Sequence, residues 1–151
     1  AVGEVNVVEM MKKHNAVIGG EGNGGIIYPA IHYGRDALVG IALFLTLLAK
    51  SKMTCSQLRA TYPNYEISKN KMELTKDMNV DSILEQMAEK YKDYEVSTID
   101  GVKINIEKEW VHLRKSNTEP IIRVYSESKD LDSANKLAQK IINEIKEIIN
   151  K

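Results

Sequence analysis

The sequence predicts an α+β fold: a mainly antiparallel sheet with two helices packed on one face, preceded by the truncated end of an α/β domain. Three observations lead there. Between residues 65 and 126, short apolar runs are separated by turn-forming clusters, as half-buried strands require. Two stretches, 80–91 and 134–149, instead repeat their apolar residues at helical spacing, so each is a helix with one buried face. The first fifty residues follow neither pattern, being glycine-rich and then almost unbrokenly apolar.

In chain order, Val5, Val7 and Val8 with Met10 and Met11 read as strand-like sequence, and 15–19 as a short apolar strand. A glycine cluster, Gly20-Glu21-Gly22-Asn23-Gly24-Gly25, comes next and leads into Ile26-Ile27-Tyr28-Pro29. Asp36 is placed to cap a helix over 37–50 that is apolar nearly all round. Such a helix needs partners on several sides, and fifty residues cannot supply them. Residues 1–50 therefore read as the tail of a larger domain, and a chain starting at Ala1 rather than Met fits that expectation. If so, Leu38, Ile41, Leu45 and Leu48 are partly orphaned, and either self-association through the 37–49 helix or a marginally ordered N-terminal segment follows.

Residues 51–64 read as a short helix and a hinge, and 65–151 as a complete second domain. There, 65–74 is a strand, and Val80, Ile83, Leu84, Met87, Ala88 and Tyr91 mark a helix. Strands over 95–99 and 102–106 are joined by Asp100-Gly101, the two-residue signal of a type I′ turn. Strands over 110–114 and 121–126 flank a polar loop. The last helix carries Ala134, Leu137, Ala138, Ile141, Ile142, Ile145 and Ile149 on one side. Asp130 and Asp132 sit where it starts, so that acid pair reads as capping rather than metal binding.

Composition narrows the function classes. Lys and Arg number 21, as do Asp and Glu, so no positive excess exists to drive bulk nucleic-acid or anionic-membrane binding. The most apolar run, 37–49, is too short to span a bilayer, and the N-terminus lacks the basic-then-apolar order of a signal peptide. One cysteine, Cys55, rules out an intrachain disulfide and a cysteine-based zinc site, and suits a reducing cytoplasm. Cys55 reads as structural, and His14, His32 and His112 as packed or surface residues without metal-ligand spacing.

Two loops concentrate chemistry. Gly20, Gly22 and Gly25 satisfy the G-x-G-x-x-G dinucleotide fingerprint, but no helix follows directly to hold a pyrophosphate, so that reading fails. A tight turn between strands is the plain alternative. Glu21 and Asn23 argue for more: set among glycines, a carboxylate and an amide can bind the vicinal hydroxyls of a sugar. The second loop, Arg114-Lys115-Ser116-Asn117-Thr118-Glu119-Pro120, with Arg123 beyond it, gathers the parts of a phosphate cradle. An ordinary hairpin loop closed by its own hydroxyls and amide, with Arg123 paired to Glu119 or another acid, explains that composition equally well.

At these loops the chain resembles the C-terminal part of the α-D-phosphohexomutases, the phosphoglucomutase/phosphomannomutase superfamily. The glycine cluster is similar to that family's third-domain sugar loop (G-E-x-S-G-H or G-E-x-x-G-G), and 114–120 to its fourth-domain phosphate loop (R-x-S-N-T-x-P). Asp36 and Asp100-Gly101 also fall at family positions, and the likeness covers essentially the whole chain.

The resemblance implies a TATA-binding-protein-like fourth domain. It also implies a parent enzyme that interconverts hexose 1- and 6-phosphates through a phosphoserine, a bisphosphorylated sugar and Mg²⁺. This chain has neither the serine loop nor the aspartate-rich metal loop, so it is expected to hold no catalytic residue, no cofactor and no mutase activity of its own. By resemblance, Arg114, Ser116, Asn117 and Thr118 clamp the non-transferring phosphate. Glu21 and Asn23 read the 3- and 4-hydroxyls shared by glucose and mannose, while Lys115, Glu119 and Arg123 shape the loop. The implied partners are a glucose or mannose phosphate and the parent's missing N-terminal domains. Asn23 stands where many relatives have Ser, and Gly25 where many have His, so that histidine's role is not carried over. Phosphoglucosamine mutase is an alternative parent, and a stand-alone phosphosugar-binding module the rival outside enzymes.

Overall fold

The two halves of the chain differ in how much cover their apolar side chains find. The computed structural model describes residues 3–75, 78–116 and 119–150 and divides into two units, Ala1–Pro63 and Asn64–Lys151.

In the first unit, Glu4–His14 form a helix, α1, not the strand its valines predict. Glu4 in the first turn and Lys12, Lys13 and His14 in the last complement the helix dipole, and Asn15 closes the helix in the left-handed conformation at φ 49°. Packing outweighs the valines' preference for strands: Met11 is buried, and a Cβ on Gly19 would collide with its thioether. The strand expected over 15–19 contracts to β1 (Gly19–Gly20), which pairs antiparallel with β2 (Ile26–Tyr28), itself paired with β3 (His32–Arg35).

Helix α2 (Ala37–Ser51) starts as expected, its Asp36 carboxylate accepting the Val39 N–H at 3.0 Å. None of its residues is buried: Leu38 is 78% exposed, Ile41 54% and Leu45 57%, while Leu48 is half-buried. A short helix, α3 (Cys55–Ala60), opens on a capping box between Thr54 and Gln57. Cys55, read as structural, is exposed in its first turn.

The second unit holds β4 (Glu66–Glu73), α4 (Val80–Lys90), β5 (Glu95–Ser97), β6 (Val102–Ile106), β7 (Glu109–Lys115), β8 (Ile121–Ser128) and α5 (Leu131–Ile149). Its strands form one antiparallel sheet in the order β4-β8-β7-β6-β5. Helix α5 lies on β4, β7 and β8, and α4 on β6 and against α5, so both helices cover one face as predicted. Met87, Ile104, Val111, Leu113, Ile122, Val124, Ile141 and Ile145 are fully enclosed between the layers. Asn79 caps α4 and Asp130 caps α5, and the Ser133 N–H holds the Asp130 carboxyl below the usual carboxylate range. Ser126, buried under α5, donates its hydroxyl to the Ala134 carbonyl at 2.7 Å, so the polar atom there is satisfied.

The β5–β6 connection differs from the expected type I′ turn. Ser97 pairs with Lys103 and Val102 with Leu113, which leaves residues 98–101 looped out. Among them only Gly101 has a positive φ, +74°, whereas a type I′ turn needs two such residues. A Cβ at Gly101 would also run into the Leu113 carbonyl, so this loop is seated on the β7 backbone. Among the described residues, no helix is long and apolar enough to cross a membrane.

Candidate functional site

The end of β7 carries the first cluster. Because side chains alternate along a strand, Arg114 and Lys115 leave it on opposite faces. Register places Arg114 directly opposite Arg123 on β8, and Arg123 opposite Lys71 on β4, a row of three cations across the sheet. Like charges so placed repel. The outer two are partly compensated: Arg114 Nε lies 3.0 Å from Asp100 Oδ1, and Lys71 Nζ 3.6 Å from Glu73. Among the described residues Arg123 has no ion pair, so its expected bond to Glu119 or another acid is not seen.

Lys115 turns to α4 and meets the Asp81 carboxylate at 2.6 and 2.9 Å. The loop beyond is tied at its base, where the Ser116 N–H donates to the Ile121 carbonyl at 3.1 Å. Ser116 is half-buried and Glu119 exposed, while Asn117 and Thr118 lie outside the described residues. Arg114 and Lys115 line a groove of about 600 Å³ whose other walls include Asp81, Leu84, Asp100 and Gly101. Arg123 and Glu119 instead line a separate shallow hollow with Lys69, Lys71 and Tyr125. The structure thus brings Arg114 and Lys115 to one groove, while Arg123, opposite Arg114 in register, lines a different hollow.

Asp100 and Asp81 are the residues sequence reasoning did not single out as part of this cluster. Asp100 was legible only as a turn residue. Its proximity to Arg114 follows once β6 is known to pair with β7 through Val102 and Leu113, since extending that register brings residue 101 opposite 114. Asp81 comes from a different element, and no local spacing signals it.

The second cluster sits in the β1–β2 loop of the first unit. Here the glycine run makes a hairpin, and the next helix begins only at Ala37, which excludes the dinucleotide geometry. The loop closes on itself: the Gly24 N–H donates to the Glu21 carbonyl at 3.1 Å, and Gly24 takes φ +90°. Glu21 and Asn23 are brought together, Asn23 Nδ2 donating to Glu21 Oε2 at 3.3 Å. Asn23 Oδ1 accepts the Gly25 N–H at 3.0 Å, and Glu21 Oε1 the Gly3 N–H at 3.2 Å. A carboxylate and an amide fixed this way present alternating acceptors and donors, the pattern that adjacent hydroxyls satisfy.

Asn23, Gly24 and Gly25 line an open groove with Glu4, Arg35 and Asp36, and Arg35 Nε is paired with Glu4 at 2.8 Å. His32 Nδ1 accepts the Gly34 N–H, so its Nε2 donates to Asp36 at 3.1 Å. The Val39 N–H and, secondly, His32 hold the Asp36 carboxyl below the usual range. Among the described residues no group of three or more His, Cys, Asp or Glu could hold a metal ion.

Comparison with known proteins gives a consistent account of both halves. Residues 1–65 match the family model for phosphoglucomutase/phosphomannomutase alpha/beta/alpha domain III, and residues 70–144 that for the C-terminal domain of the same family. A phosphoglucosamine/phosphogalactosamine mutase of Sulfurisphaera tokodaii is 39% identical over 150 residues, 98% of this chain and 32% of the relative. A phosphoglucomutase/phosphomannomutase of Thermococcus kodakarensis is 38% identical over 134 residues, 88% of this chain and 29% of the relative. The chain therefore spans about a third of the length of the curated relatives it matches. Among solved structures, a phosphoglucomutase/phosphomannomutase family protein from Burkholderia thailandensis shares the fold, with TM-score 0.69 and 22% identity over 95% of this chain and 31% of that one.

Proposed function

Because the chain belongs to the phosphoglucomutase/phosphomannomutase family, we propose that it is the substrate-recognition portion of a hexose-phosphate mutase, one that moves phosphate between the sugar's 1- and 6-positions. Its domains are those read from the sequence: 1–50, a hinge over 51–64, and 65–151. Arg114 and Ser116, with Asn117 and Thr118, clamp the phosphate that is not transferred. Glu21 and Asn23 read the sugar hydroxyls. The observation that carries this reading is the place of Arg114 near the end of β7, where the β7–β8 loop begins, opposite Arg123 in register and lining one groove with Lys115. A clamp that reads only phosphate can accept either end of a sugar that must reverse, and closing it over the sugar excludes water.

We assign no phosphoryl transfer to this chain. The described residues do not gather a ligand set for the magnesium that the family resemblance implies, so no step here runs through that metal. Cytoplasmic residence is part of the same reading. The relatives at 39% and 38% identity are named for different sugars, which keeps amino-sugar and neutral-sugar phosphates as paired candidates.

The test is a titration of isotope-labelled protein followed through backbone amides. Inorganic phosphate should shift Arg114 to Glu119 saturably, and glucose 1-phosphate should in addition shift Glu21 to Gly25. Glucosamine 1-phosphate, run in parallel, ranks the two sugar classes. Absence of saturable shifts at both loops would sink the assignment.

A partner surface goes with it. Helix α2 keeps an apolar shell uncovered, so the isolated chain should self-associate, with a light-scattering mass that rises with concentration. A strict monomer with an ordered first unit would refute that.

A further inference from the structure

We propose that Asp100 is a positioning residue for the phosphate clamp, orienting Arg114 before any anion arrives. The inference rests on reading Arg114 as the phosphate ligand. Its physical content is orientation: an unrestrained arginine samples many rotamers, and fixing it beforehand removes that entropy cost from binding.

Three observations converge on Asp100. Its carboxylate meets Arg114 at Nε, 3.0 Å away, a contact on the side of the guanidinium that does not need the paired Nη edge, the edge suited to two oxygens of one phosphate. Its own backbone is fixed from β7, because the His112 imidazole bonds the Asp100 carbonyl through Nε2. The next residue, Gly101, lies so close to the Leu113 carbonyl that no side chain fits there. Two consecutive β7 residues, His112 and Leu113, therefore seat the loop whose carboxylate holds the third, Arg114. An ordinary surface ion pair shows no such support, since nothing prevents its acid from moving away.

A carboxylate beside an anion site has an opposite, trivial role as well: its charge repels the ligand. The two roles predict different signs. If Asp100 only contributes charge, both Asp100→Ala and Asp100→Asn bind phosphate more tightly. If it orients Arg114, Asp100→Ala weakens binding, whereas Asp100→Asn, which keeps an oxygen for Nε, retains most of it.

The experiment uses the full 151-residue chain, with inorganic phosphate as probe and the amides of Arg114 to Ser116 as readout. Asp100→Ala should raise the dissociation constant about tenfold and Asp100→Asn by no more than about threefold. In the ligand-free protein the Arg114 Nε–H resonance should exchange slowly with water in the parent chain and in Asp100→Asn, and be lost in Asp100→Ala. That signal reports orientation directly, which a purely structural role does not move.

Unchanged or tighter binding by Asp100→Ala, with the Nε–H resonance intact, overturns the positioning role. If the parent chain shows no saturable phosphate shift, the clamp reading falls and this proposal with it. If the parent binds and Arg114→Ala does not, while Asp100→Ala matches the parent, only the role of Asp100 falls. Trp110 fluorescence verifies folding in each variant, and Asp100→Ser, judged by the same criteria, replaces Asp100→Ala should the latter not fold.

Discussion

Replacing Ile141 with alanine should destabilise the second unit by about 2–5 kcal/mol, the largest single effect expected on stability. Ile141 is fully enclosed, at the centre of the α5 stripe formed by Ala134, Leu137, Ala138 and Ile145. That stripe is the main cover of β4 and β8, whose inward residues Met72, Ile122 and Val124 share its core. Truncation removes buried methyl and methylene groups and leaves a cavity that a helix spanning three strands cannot collapse to fill. The neighbouring Lys140→Ala should change stability by no more than about 1 kcal/mol, since the residue is exposed and its ammonium only reaches over the Tyr91 ring at 5.8 Å. Urea unfolding followed by Trp110 emission measures both, because the single tryptophan sits on β7 and reports this unit specifically. A lower midpoint with an unchanged slope is the expected pattern for Ile141→Ala; a shift no larger than that of Lys140→Ala would refute this description of the core.

Arg114→Ala should weaken phosphate binding ten- to hundredfold, the equivalent of about 1.5–3 kcal/mol for charge-assisted bonds lost to an anion. Lys115→Ala should cost no more than about threefold. Both residues are cations at the same loop mouth, so the contrast isolates geometry from charge. Lys115 is committed to Asp81 on the α4 side through both carboxylate oxygens, whereas Arg114 lies 3.0 Å from its acid at Nε. Only Arg114 can offer a planar fork to a phosphate. Isothermal titration with inorganic phosphate measures the pair, and equal losses in the two variants would reduce the site to an unspecific cationic patch.

Much of the second unit was legible in the sequence because its elements are amphipathic. Val80 to Tyr91 and Ala134 to Ile149 repeat at helical spacing, and a single buried face decides their register. The first unit was harder to read, since strand-preferring valines and a packed methionine pull in different directions. The terminal signals of α1, Glu4 at one end and Lys12-Lys13-His14-Asn15 at the other, were present in the sequence, and tertiary contact between Met11 and Gly19 gave them the decision. The Asp100-Gly101 pair misled for a related reason. As a dipeptide it favours a two-residue turn, but the pairing of Val102 with Leu113 fixes where β6 begins and opens the loop. At the candidate sites the residue types were legible, and Glu21 and Asn23 do stand together. The ion pairs of Arg114 and Lys115 were not, because each joins elements far apart in the chain.

The row formed by Lys71, Arg123 and Arg114 makes the surrounding solution a component of this fold. In dilute electrolyte the repulsion that Asp100 and Glu73 leave uncompensated acts with little screening by salt across neighbouring strands; at 0.1 M salt the screening length falls to about 10 Å. On the proposed clamp reading, an anion seated at the end of that row would do more than screen, because it would bind the paired strands and not the separated ones. Its binding energy then appears as resistance to unfolding, about 2.7 kcal/mol when its concentration is a hundred times its dissociation constant. If Arg114 is the phosphate ligand, phosphate in the buffer should raise the resistance of the second unit to unfolding, and its recognition and its cohesion become two readings of one equilibrium.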